Sequence, residues 1–160
     1  VRFVLKQGLI VISNSYHNEI ISHSSGRRKG AVLVHRVFAS VQENLYDFQM
    51  FHTDRGSEFK NVLIDEVLHT FNKERLLSHK GTPYDNALTE STFKTIKIEF
   101  VKGTHFTDQH EIDLELFDFV YWFNYMRIHR SLDYLSPIEY KLKDRNVLSS
   151  LVLAYHCVES

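Results

Sequence analysis

Apolar and polar positions change their period several times along this chain, and each change marks an element. Residues 9–12 (Leu-Ile-Val-Ile) form a short, largely β-branched run without polar interruption, the pattern of a buried strand. A polar stretch follows, and residues 19–23 read as a second strand, giving an antiparallel hairpin. Over residues 28–41 the apolar positions Leu33, Val34, Val37, Phe38 and Val41 recur at helical spacing. Residues 48–51 are again apolar and of strand length, and they empty into His52-Thr53-Asp54-Arg55-Gly56-Ser57. Phe59, Leu63, Val67 and Phe71 then predict a helix that begins near Ser57, and residues 75–78 a short strand.

The second half reads mainly as helix. Gly81-Thr82-Pro83-Tyr84 is loop chemistry, and Asp85 is a suitable N-cap for a helix reaching about Phe100. Residues 108–129 predict a long helix whose Phe117, Phe119, Val120, Trp122, Phe123, Tyr125 and Met126 nearly encircle it, so it is expected to be buried or paired. Pro137 is expected to stop the chain from continuing as helix. In the tail, Val147, Leu148, Leu151 and Val152 predict a short amphipathic helix that packs on the core or mediates self-association. Strands, then strand–helix alternation, then helices indicate a mixed α/β domain.

Composition narrows the classes. With 160 residues, 43% of them hydrophobic, the chain suits one domain with a real core. Nineteen Lys and Arg balance twenty Asp and Glu, which excludes both a basic nucleic-acid tail and a disordered acidic one. The single cysteine, Cys157, excludes an internal disulfide framework, and no Cys/His spacing offers a closed zinc site. No apolar run approaches a membrane span, and residues 1–12 lack the length of a signal-peptide core, so a cytoplasmic protein is expected.

Two carboxylates stand out by position. Asp54 falls just past an apolar strand and before a helix, where α/β folds place functional groups. Glu90 lies inside the helix that Asp85 caps. Hard cations such as Mg²⁺ take oxygen ligands, so carboxylates from separate elements could furnish part of a site. By themselves these positions are ordinary for a surface Asp and a helical Glu.

Motif context gives them meaning. His52-Thr53-Asp54-Arg55-Gly56-Ser57-Glu58-Phe59, the run Gly81-Thr82-Pro83-Tyr84-Asp85-Asn86-Ala87-Leu88-Thr89-Glu90, and Phe123-Asn124-Tyr125-Met126-Arg127-Ile128-His129-Arg130-Ser131-Leu132 together resemble the catalytic core of bacterial insertion-sequence transposases, members of the retroviral-integrase superfamily. Thirty-five residues separate Asp54 from Glu90, the spacing of the second and third members of that group's Asp, Asp, Glu triad. The resemblance covers residues 1–143 and leaves 144–160 as a tail. It implies a ribonuclease H-like mixed sheet flanked by helices. It also implies two Mg²⁺ or Mn²⁺ ions, about 4 Å apart, that clamp the oxygens of an in-line displacement on DNA. Asp54 and Glu90 are then catalytic metal ligands.

The resemblance puts the triad's first Asp on the opening strand, a few residues before Val1. No Asp or Glu precedes Glu19, and Asn14, at the end of the following strand, is a poor substitute. The expectation is therefore an N-terminally truncated core with its first strand incomplete, inactive alone. Rival readings are a non-catalytic module that binds DNA or pairs with intact transposase, and a residual metal-dependent nuclease.

The same context assigns DNA contact to Lys94 and Lys97, four and seven residues after Glu90 on one helix face, although Glu90–Lys94 also reads as a plain surface pair. Arg55 beside Asp54, and Lys80 in the loop before Glu90's helix, are further DNA candidates. Asp85 and Asn86 read as capping residues, Glu58 and Glu99 as solvated helix surface, and Arg27, Arg28 and Lys29 as a helix entrance. His129 reads as a packed or capping histidine, and Trp122 as core or interface.

Overall fold

A computed structural model describes residues 7–14, 16–26, 31–41, 51–53, 65–66, 69–70, 75–77, 91–92, 94–102, 104–143 and 151–158. Strand β1 (Gln7–Asn14) and strand β2 (Ile20–Gly26) form the expected antiparallel hairpin, in register from Gly8↔Gly26 to Ile12↔Ser22. The register then slips, so that Ser13 faces Ile20. Asn18, at φ 58°, turns the chain between the strands, and the amide of Asn14 donates to the carbonyl of Glu19 at 2.8 Å. Helix α1 (Ala31–Ala39) follows, then strands β3 (Phe51–Thr53) and β4 (Arg75–Leu77), which pair in parallel. Among residues 57–71, positions 65, 66, 69 and 70 are described and are helical.

The sheet has five strands in the order β2-β1-β5-β3-β4. Its central strand is β5 (Leu151–Val158), which runs antiparallel to β1 along eight positions and parallel to β3 along three. This corrects the helix expected in the tail. Spacing alone leaves a short apolar run ambiguous between helix and strand. Here β1 and β3 each present a row of backbone donors and acceptors that must find partners, and an extended 151–158 satisfies both rows at once.

Helices cover the two faces of the β1–β2 hairpin. On one face, Ser22 beside Ile12 donates its hydroxyl to the carbonyl of Val37 in α1 at 2.7 Å, with Leu33, Val37 and Phe38 buried. On the other face, Leu9, Val11 and Ile20 pack with Ile96, Phe100, Leu116, Phe119, Val120 and Phe123. Leu116, Phe119, Val120 and Phe123 belong to helix α2 (Gln109–Tyr125), which Asp108 caps by accepting from the amide of Glu111. Glu111 in turn accepts from the amide and hydroxyl of Thr107, bonds that hold its carboxyl below the usual range.

Helix α2 is buried on one side only. Leu114, Phe117, Tyr121 and Tyr125 are exposed, and so is Met126 just past its end, so of the two expectations, buried or paired, burial on every side does not hold. A second correction concerns Pro137, which opens helix α3 (Pro137–Lys143) rather than stopping one. Ser136 and Glu139 form a reciprocal capping box: the Ser136 amide donates to the Glu139 carboxylate, and the Glu139 amide to the Ser136 hydroxyl. From α3, Lys141 reaches the largely buried Glu19 at 2.8 Å and ties the helix to the hairpin turn. Among the described residues no helix is long and apolar enough to cross a membrane.

Candidate functional site

Strand β3 ends at Thr53, so Asp54 is the next residue along a strand with neighbours on both sides. On the far side of the sequence, residues 91, 92, 94 and 95 are helical immediately after Glu90. Asp54, Glu90, Arg55 and Lys80 themselves lie outside the described residues, as do Arg27, Arg28, Lys29, Ser57, Glu58, His79, Gly81, Asp85 and Asn86. Lys94 and Lys97 are described and exposed. Among the described residues no group of three or more His, Cys, Asp or Glu side chains is arranged to hold a metal ion.

The helical residues after Glu90 pass into a π-helical turn, Ile96–Val101, closed by the amide of Lys102 on the carbonyl of Lys97 at 2.9 Å. The wider winding keeps Ile96 and Phe100 in the core and leaves Lys97 and Glu99 outside. Glu99 is more than the solvated surface group expected. Its two carboxylate oxygens accept from Nε and Nη2 of Arg127, both at 3.0 Å, a bidentate pair that joins this turn to the end of α2. Arg127 also lies over the Phe123 ring, 5.6 Å from its centre.

Beyond α2 the chain folds into a compact loop. A 3₁₀ turn, Arg130–Leu132, is closed by the amide of His129 on the carbonyl of Leu135 and the amide of Tyr134 on the carbonyl of His129. Asp133 and Tyr134 both take left-handed backbone conformations, φ 54° and 62°. His129 packs edge-on against Phe123 with ring centres 4.8 Å apart, as a packed histidine should. Burial and the adjacent Arg127 cation push its pKa down to about 4, so the ring is neutral at physiological pH.

These pieces enclose a cavity of 620 Å³ between the helical residues after Glu90 and the loop. Ser91, Thr92 and Thr95 line one wall, and Arg127, His129 and Arg130 the other. Asn18, from the hairpin turn, donates to the Ser131 hydroxyl at 3.4 Å and fixes the floor. A second groove, of 560 Å³, is of opposite character: Glu99, Glu115 and Asp118 line it beside Trp122. Trp122 is thus half-exposed at the rim of an acidic groove, stacked at a tilt on Phe119, and not a core residue.

Sequence reasoning missed Asn124. Its side-chain oxygen accepts from the amide of Ile20 and its nitrogen donates to the carbonyl of Ile20, both at 2.8 Å and both buried. Helix α2 thereby clamps β2 where the hairpin register slips. The signal was present as a lone amide within an aromatic run. Asn14, by contrast, accepts from the amide of Tyr16 at 2.8 Å, a local turn bond.

The sequence is similar to known proteins. Residues 90–144 match the integrase core domain family. Over 142 residues, 85% of the chain, it is 30% identical to the transposase for insertion sequence element IS904 of Lactococcus lactis, and covers 56% of that protein. It is 27% identical over 128 residues to the putative transposase InsK for insertion sequence element IS150 of Escherichia coli, covering 45% of it. Transposase InsF for insertion sequence IS3A, also of Escherichia coli, is 32% identical over 94 residues, 58% of the chain. The chain spans about half the length of the curated relatives it matches.

Proposed function

We propose that this chain is the catalytic-core portion of a DNA transposase, with a ribonuclease H-like sheet and with Asp54 and Glu90 as two carboxylates of its metal site. One observation carries the reading: β3, flanked by β5 and β4, ends directly before Asp54, while the integrase core match begins at Glu90. A parallel strand's carboxyl end is where α/β sheets present reactive groups.

The donor set fits a hard divalent cation, since both groups supply carboxylate oxygens from separate elements. Asp54 and Glu90 would hold Mg²⁺ or Mn²⁺, which when bound polarises the phosphodiester and lowers the pKa of an attacking water or hydroxyl. The remaining residues position DNA. Lys94 and Lys97 offer exposed ammonium groups for backbone phosphates, with Arg55 and Lys80 as further contacts. Such a protein acts on element ends and target DNA in the bacterial cytoplasm, where a second copy or an intact transposase is its protein partner.

The test measures Mn²⁺ binding and Mg²⁺-dependent DNA cleavage together. Mn²⁺ should bind the parent chain and bind much more weakly to Asp54→Asn and to Glu90→Gln. Equal Mn²⁺ binding by all three would sink the metal-site assignment. Mg²⁺-dependent nicking that is unchanged in Asp54→Asn and Glu90→Gln would sink it as well.

A further inference from the structure

We propose that the cavity between the helical residues after Glu90 and the loop following α2 seats a phosphate of a nucleic-acid backbone, with Arg130 as its principal cation. This rests on the reading of the chain as a DNA-acting core and adds a site that the triad and the Lys94–Lys97 face do not include; neither lysine lines the cavity.

Charge selects the ligand. Among the described lining residues there are two arginines and no carboxylate. Arg127 spends Nε and Nη2 on Glu99, which lies outside the cavity, and its Nη1 is turned toward His129 at 3.3 Å. Arg130 is exposed and makes no ion pair with another described residue. Its five N–H donors suit phosphate oxygens, which accept at several points. Hydroxyls of Ser91 and Ser131 add further donors at the wall and floor. A nucleobase fits less well, because of the two aromatic rings among the described lining residues Phe123 is fully buried and His129 is packed edge-on against it.

The loop is built to hold this geometry. Asp133 and Tyr134 stay left-handed without being glycine, a conformation that costs free energy and persists only where surrounding bonds enforce it. Those bonds run His129–Leu135, Tyr134–His129 and Asn18–Ser131, so Arg130 stands on a turn fixed from both ends. Neutral His129 completes the wall without adding a charge that varies near pH 7. The ligand chemistry is that of a phosphate monoanion or diester, and free phosphate and DNA are the two sources to separate.

The experiment uses the full chain, with backbone amide NMR at residues 127–131, away from Lys94 and Lys97 in sequence, as the footprint. Inorganic phosphate and a short DNA duplex of arbitrary sequence are the probes, and duplex affinity is followed across a salt series by fluorescence anisotropy. Either probe should shift the footprint amides in the parent and not in Arg130→Gln. Duplex affinity in Arg130→Gln should fall about ten-fold, with the slope of log affinity against log salt reduced by about one. Arg130→Lys should keep that slope, which a purely structural role would not predict. The site is overturned if neither probe moves these amides, or if Arg130→Gln responds like the parent. Phosphate binding that depends on Arg130, in a chain that ignores DNA, would keep the anion site and sink the transposase reading. DNA binding indifferent to Arg130 would do the reverse.

Discussion

Replacing Asn124 by alanine should destabilise this fold more than any polar change on its surface. The residue is 7% exposed, and its amide exchanges two hydrogen bonds of 2.8 Å with the backbone of Ile20, itself 3% exposed. Truncation leaves an N–H and a C=O at Ile20 with neither the amide nor open water to meet them. Each orphaned buried group costs about 1–3 kcal/mol, so the variant should lose about 2–6 kcal/mol. That is a large share of the 5–15 kcal/mol or so that holds a typical domain together. Asn124→Asp separates hydrogen bonding from bulk. It keeps the shape and the acceptor for the Ile20 amide, but sets a carboxylate oxygen against the Ile20 carbonyl in a buried place. It should therefore fare no better than alanine. Urea unfolding followed by far-ultraviolet circular dichroism, with Trp122 fluorescence as a second probe, gives the midpoint and slope. A loss below about 1 kcal/mol in Asn124→Ala, or parental stability in Asn124→Asp, would refute the clamp.

Two further outcomes follow from the same structure. Leu153 pairs with Ile12 on one side and Thr53 on the other, so Leu153→Pro should remove a central ladder donor and abolish cooperative unfolding, while Glu159→Pro, beyond β5, should not; amide hydrogen exchange of β1 reads the difference, and unchanged protection in Leu153→Pro would rule out β5 as the central strand. For pH, the His129 pKa lies below its ordinary 6.5 at about 4, and burial also lowers that of His23. The unfolded chain therefore binds more protons in this window, and the contribution to stability is complete above pH 6.5 and lost as pH falls toward 4. Denaturation midpoints between pH 7.5 and 4.5 should show a shallower decline in His129→Gln, and identical declines would contradict the assignment.

Local chemistry made much of this legible beforehand. The β1–β2 hairpin, α1, β4 and α2 follow from the apolar period alone. The 136–139 capping box is local too, Ser-Pro-Ile-Glu, with Pro137 as the first helical residue and not a stop. Motif spacing singled out Asp54 and Glu90, and the strand end at Thr53 agrees with the position assumed for Asp54.

Sequence by itself therefore read the β1–β2 hairpin, α1, β4, α2 and the family likeness, and nominated the two carboxylates, because propensity, capping and motif spacing act over a few residues. Tertiary structure alone decided three things: that 151–158 is the sheet's central strand, that Asn124 clamps β2, and that Arg127 and Arg130 face Ser91 and Thr95 across a cavity. Each joins segments far apart in the chain, and an apolar run, an amide or an arginine carries no mark of its distant partner. What fixed them was the demand of unpaired backbone and buried polar groups for partners, which exists only once the rest of the fold has formed.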